Sequence, residues 1–93
     1  MGFYPPHYQV EVIMKRDFPG HIAWSEARMN GDHALAFVAV RSRSPDTQPS
    51  FHLVYDRISF ARLADAITAA EGALNKILRF DARDAPVFSS PEC

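Results

Sequence analysis

The stretch HIAWSEARMNGDHALAFVAVR, residues 21–41, constrains the fold more than any other part of the chain. Two runs of alternating polarity meet at Asn30-Gly31. An Asn-Gly pair in that setting predicts a two-residue β-hairpin, because a type I′ turn needs φ > 0 at both central residues. With Asn30 and Gly31 central, Met29 faces Asp32, Arg28 faces His33 and Trp24 faces Phe37. Side chains two apart share a face of the sheet. One face then carries Ile22, Trp24, Glu26, Arg28, His33, Leu35, Phe37 and Arg41. The other carries Ala23, Ser25, Ala27, Met29, Ala34, Ala36, Val38 and Val40. The second face is small and smooth and suits close approach of a helix. The first is large, aromatic and rimmed by charge, so a covering partner or an exposed patch is expected there. A one-residue slip would exchange the faces.

The flanking segments extend the sheet. Residues 7–15 alternate, with Tyr8, Val10, Val12 and Met14 against Gln9, Glu11, Ile13 and Lys15, and predict a first strand. Pro19-Gly20 supplies the turn into the hairpin. If that turn is tight, Phe18 faces His21, Glu11 pairs with Arg28, and Ile13 and Lys15 join Trp24 on the aromatic face. Residues 42–50, SRSPDTQPS, read as a polar loop, and residues 51–55 as a fourth strand with no turn to say which side chains face the core. Ser59 is the expected N-cap of a long helix, with Phe60, Leu63, Ile67, Ala70, Leu74 and Ile77 at helical spacing. Asp65 near its start and Lys76 and Arg79 near its end suit the helix dipole. Val87 and Phe88 are expected to pack back onto the body.

The fold class that follows is α+β: an antiparallel four-stranded sheet, β-β-β-β-α, with one long C-terminal helix on its small-residue face. The chain of 93 residues is expected to form a single domain, 1–93, with residues 1–6 flexible and 89–93 frayed. A chain this short buries only about 60–65% of its unfolded surface, so a homodimer is the expected assembly. The net charge of −1, from 10 Lys and Arg against 11 Asp and Glu, argues against non-specific duplex binding. No run is apolar enough to cross a membrane, and the N-terminus MGFYPPHYQ lacks the basic and apolar regions of a signal peptide. A cytoplasmic location is expected. Cys93 is the only cysteine, so no disulfide forms within the chain.

Catalytic motifs are missing from the sequence, which favours a non-catalytic role. His7, His21, His33 and His52 lack metal-ligand spacing, so no metal site is expected, nor any cofactor. The glycines at 2, 20, 31 and 72 form no phosphate loop, and no serine sits in a nucleophile elbow. The constellation that can bind is the large face: Trp24, Phe37, Ile13 and Leu35, with Lys15, Arg28, His33 and Arg41 around them. Aromatic platforms beside cations suit single-stranded DNA or RNA, whose bases stack and whose phosphates pair with the cations. The same residues suit a dimer or partner interface, where Trp and Arg are also enriched, and Glu26 within the face weighs toward that reading. A protein-interaction or regulatory subunit is therefore the alternative, and a small enzyme with a pocket between subunits the third option.

The succession YQVEVIMK, HIAWSEARM, HALAFVAVR, SFHLVY and ISFARLADAITAAEGALNKIL, four strands and then a helix, resembles the Pur-alpha, Whirly and transcriptional coactivator p15-type single-strand-binding module. That resemblance is one of element order. It implies paired modules that hold single-stranded nucleic acid through sheet or loop residues, and it assigns no residue a role.

Overall fold

Two glycine turns set the sheet. The computed structural model describes residues 14–91 and 93. Strands β1 (Lys15–Phe18), β2 (His21–Asn30), β3 (His33–Ser42) and β4 (Ser50–Val54) form an antiparallel sheet in the order β1-β2-β3-β4. Helix α1 (Leu63–Asn75) packs against one face, mainly over β2 and β3. Strands β5 (Ile77–Phe80) and β6 (Pro86–Phe88) make a separate two-stranded ribbon. The chain is thus an α+β protein with a four-stranded antiparallel sheet followed by one helix. The expected pairing of Glu11, Val12 and Ile13 with β2 lies outside the described residues.

The first hairpin has the expected register, with Phe18 opposite His21 and Lys15 opposite Trp24. Pro19 sets φ ahead of Gly20, whose φ of 88° is the second central position of a type II turn. The second hairpin is shifted from expectation. Asn30 pairs with His33, so the central residues are Gly31 and Asp32. Only Gly31 takes positive φ (70°), the pattern of a type II′ turn with glycine first. A type I′ turn on Asn30-Gly31 needs asparagine in the left-handed region as well, whereas this turn asks it of glycine alone. Trp24 therefore faces Ala39 rather than Phe37, Glu26 faces Phe37, Arg28 faces Leu35 and Met29 faces Ala34. Each pairing moves along the partner strand by two residues, so every side chain keeps its predicted face.

The helix face is built from small residues. Ala23, Ala34, Ala36, Val38, Val40 and Val54 of the sheet meet Ala66, Ala70, Ala73 and Leu74 of α1, with Ile77 closing the end. Short side chains on both sides allow close approach of helix and sheet, and Leu74 is among the largest fully buried side chains. Ser25 is buried on the same face, and no buried side-chain polar atom among the described residues lacks a partner.

The helix is shorter than its apolar stripe predicts, at both ends. Ser59 is not the N-cap. Position Arg62 is, with an extended backbone and no side-chain cap hydrogen bond. Phe60 lies ahead of the helix because its carbonyl accepts the Ala34 N–H at 2.8 Å, forming an isolated bridge to β3. Its ring packs on the core from this extended segment. The other end stops at Lys76, and Ile77 and Arg79 belong to β5 rather than to the helix. The ribbon turn is held by Asp81, whose Oδ1 accepts the N–H groups of Arg83 at 2.8 Å and Ala85 at 3.0 Å. Asp84 takes the left-handed conformation there, with φ of 64°. Val87 and Phe88 return to the body as expected, and Phe88 packs on the core.

Long-range side-chain contacts of Arg16, Phe18 and His21 join the layers. Arg16 projects from the helix face of β1 and donates Nη1–H to the carbonyls of Leu74 (2.9 Å) and Ile77 (3.3 Å). It brings positive charge to the helix C-terminus, where the sequence assigns Lys76 and Arg79; Lys76 is the C-cap and Arg79 lies beyond, in β5. His21 stacks on Phe80 at 4.2 Å and donates from Nε2 to Asp84 Oδ1 at 2.8 Å, while Phe18 meets Phe80 edge-on at 4.9 Å.

Replacing Arg16 with Met removes the charged donor from those helix-end carbonyls, and urea unfolding should show a loss of about 1–2 kcal/mol, with Arg16→Lys recovering part of it. A pH effect is expected at the ribbon turn. Backbone N–H bonds from Ala85 and then Arg83 hold the Asp81 carboxyl below its usual range. Its support of the turn is present above the unfolded pKa and lost as pH falls through the depressed folded value. NMR titration should place the midpoint of the Arg83 and Ala85 amide shifts below that of an unstructured aspartate.

Candidate functional site

The face of the sheet opposite α1 carries the aromatic residues in rows set by the register. Lys15, Trp24, Ala39 and Phe51 form one row. Glu26, Phe37 and Leu53 form the next, followed by Arg28 with Leu35 and then Asn30 with His33. At the other end, Asp17, Ile22 and Arg41 align. Pairing of β4 with β3 settles the strand that sequence leaves open: Phe51 and Leu53 join the aromatic face, and Ser50, His52 and Val54 face the helix side. Among the described elements, α1 lies on the other side, and Phe51 and Leu53 remain 43% and 44% exposed. Ala39 points to this open face yet is fully buried, and it is not part of the core beneath α1. Its larger neighbours close over it, so the face is a thin apolar layer rather than a bare sheet.

Charge on this face falls into two unlike halves. Glu26 occupies the centre. Its Oε2 accepts Trp24 Nε1–H at 2.9 Å, and its Oε1 accepts Arg28 Nη2–H at 3.1 Å. The Arg28 guanidinium lies 4.9 Å from the centroid of Phe51 and 5.5 Å from that of Phe37. This half is a neutral ion pair laid on two aromatic rings. Arg43 is also paired, with Asp17 Oδ1 at 3.1 Å, and its Nε donates to the Phe18 carbonyl at 3.1 Å. Lys15 and Arg41 differ. Neither has a carboxylate partner among the described residues. With Ile22 and Trp24 they line a shallow depression of about 460 Å³.

The structure therefore brings Trp24, Lys15 and Arg41 together, and places Phe37, Arg28 and Leu35 in the adjoining half. His33 stands apart at the hairpin end, where its Nδ1 meets Asp32 Oδ1 at 3.2 Å and holds that carboxyl below its usual range. Ile13 lies outside the described residues. Phe51 and Leu53 are the members that sequence reasoning misses. Residues 51–55 alternate evenly, and the loop from β3 carries no turn that fixes their face.

Outside this face, chemistry is sparse. Ser50 Oγ lies 3.0 Å from His52 Nε2, and burial lowers the His52 pKa against the opposing charge of Asp81. Tyr55 leaves β4 at φ of 53°, and its hydroxyl accepts from Lys76 Nζ at 3.3 Å and Cys93 Sγ at 3.4 Å. It borders a second depression, of about 500 Å³, with Asp56, Arg57, Ile58, Pro91 and Cys93. No group of three metal-ligating side chains occurs among the described residues.

Trp24 is the only tryptophan, so its fluorescence reports this site alone. In Glu26→Ala the indole loses its acceptor and Arg28 its counterion, and acrylamide quenching of Trp24 should increase. Stability should change by no more than about 1 kcal/mol, because the pair is partly solvated. Unchanged quenching would mean that Glu26 does not hold the indole in place. Comparison with known proteins finds no matching family model, curated protein or solved structure, so the site is read from its own geometry.

Proposed function

We propose that this is a non-catalytic binding protein whose open sheet face takes single-stranded nucleic acid. The observation that carries the reading is the indole of Trp24 beside Lys15 and Arg41, two cations without carboxylate partners among the described residues. Lys15 lies one strand to one side of Trp24, and Arg41 one strand to the other. Strands are spaced about 4.8 Å apart and Arg41 sits two residues further along, opposite Ile22, so the backbones that carry the cations flank Trp24 roughly 12 Å from one another. A base stacked on Trp24 contributes about 1–3 kcal/mol, and the flanking phosphates meet Lys15 and Arg41. The resemblance in element order to single-strand binders supports the same ligand class. A cytoplasmic location belongs to this proposal. On the membrane question, no helix of the described residues is long and apolar enough to cross a bilayer.

A second reading has its own support. The Glu26–Arg28 pair over Phe37 and Phe51, with Leu53 beside them, is a neutral apolar surface of the kind found in protein interfaces. Titration of a labelled single-stranded oligonucleotide separates the two. Binding should quench Trp24, and it should weaken with salt at a log–log slope of about −1.4, as two phosphate contacts on a single strand imply. Trp24→Ala, Lys15→Glu and Arg41→Glu should each reduce affinity, with little effect from Thr68→Glu on the outer surface of α1. No binding at about 100 µM, the weak end of sequence-independent association, would remove nucleic acid and leave the protein-interface reading.

A further inference from the structure

The two edges of the sheet are unlike. β1 has the sequence KRDF, whose charges at Lys15, Arg16 and Asp17 are of the kind that discourages another strand from pairing. β4 has the sequence SFHLV, with no lysine, arginine, carboxylate or proline. Its pairing with β3 is regular, without a bulge to twist the edge away. No described residue pairs with its outer side. Phe51 and Leu53 stand at this edge, both more than two-fifths exposed. An exposed strand with neither charge nor bulge is a template for strand addition.

We infer that β4 pairs antiparallel with β4 of a second copy, joining two four-stranded sheets into one of eight strands. A two-fold axis at His52 sets Phe51 opposite the partner's Leu53 on the open face, and Ser50 opposite the partner's Val54 on the other. Both pairings recur by symmetry, and the Phe51–Leu53 pair is apolar across the seam. The absence of an ionised side chain from Ser50 to Val54, apart from any protonated His52, favours a second copy. A symmetric pairing brings each residue near its own mate, and a charged strand would meet like charge there. The area sets the strength. A five-residue edge buries less than the roughly 1,200 Å² of a standard interface, so the dimer is weak and concentration-dependent rather than obligate. It leaves both open faces on one continuous surface, with the two Trp24 residues five strand spacings, about 24 Å, apart. This association does not depend on nucleic-acid binding.

Sedimentation equilibrium of the full chain across the micromolar to millimolar range should show a monomer–dimer equilibrium. Leu53→Lys places a charge at the edge and should weaken dimerisation about tenfold, since two symmetry-related cross-strand apolar contacts are lost. Circular dichroism of this variant should be unchanged. In a Cys93→Ser background, His52→Cys should form an inter-chain disulfide on mild oxidation, because facing residues stand within bridging reach. Thr68→Cys, exposed on α1, is the control and should not cross-link efficiently. A chain that stays monomeric at millimolar concentration overturns the proposal. So does a dimer indifferent to Leu53→Lys, or a His52→Cys variant that cross-links no faster than the control.

Discussion

Close approach between helix and sheet is the constraint from which the remaining structure follows. Ala23, Ala34 and Ala36 on one side and Ala66, Ala70 and Ala73 on the other leave little side chain between the two backbones. Such a contact gains from dispersion and exclusion of water, and offers no room for a ring. The large residues of β2 and β3 are therefore committed to the opposite face by the period of two. The aromatic surface is the complement of the alanine surface. A protein that packs one side so closely has no second layer among its described elements for the other, and Trp24, Phe37, Phe51 and Leu53 are left to cover one another and Ala39.

This division was legible because it depends on parity alone. The turn lies one position later than Asn-Gly chemistry predicts, yet Ile22, Trp24, Phe37 and Arg41 keep their faces. The rows are different, and rows decide which groups interact. With Trp24 opposite Ala39 rather than Phe37, there is no stacked aromatic pair at the centre of the face, and Trp24 turns to Glu26. The helix ends were not legible for another reason. Apolar spacing from Phe60 to Ile77 fits a helix throughout, but the backbone of Phe60 is taken by Ala34 and that of Ile77 by β6. Competition from distant strands leaves no local signature.

The electrostatics of the face show why a charge inventory is a poor guide to a binding surface. Arg28 belongs to the basic set in sequence, but it is neutralised by Glu26 two residues away on its own strand, as Arg43 is by Asp17 across the sheet. What remains for an outside anion is set by pairing geometry. Among the described residues Lys15 and Arg41 are left without a carboxylate partner, since Asp17, in the row of Arg41, is engaged by Arg43 and Glu26 by Arg28. The slight acidity of the whole chain and a local cationic notch at Trp24 are thus compatible.

The reach of Arg16 to the end of α1 carries a consequence for how the molecule folds. The guanidinium and the Leu74 carbonyl are separated by 58 positions in the chain, so the last turn of the helix gains this charged donor, beyond the local Lys76 N–H, only after the first hairpin has closed. A helix of 13 residues is marginal by itself in water. Its C-terminal turn and β1 are therefore linked, and opening either one breaks the Arg16 bonds. The first hairpin is thus tied to the C-terminal third of the chain twice, by Arg16 to the end of α1 and by His21 to Asp84 across 63 positions, so loosening of either end is felt at the other.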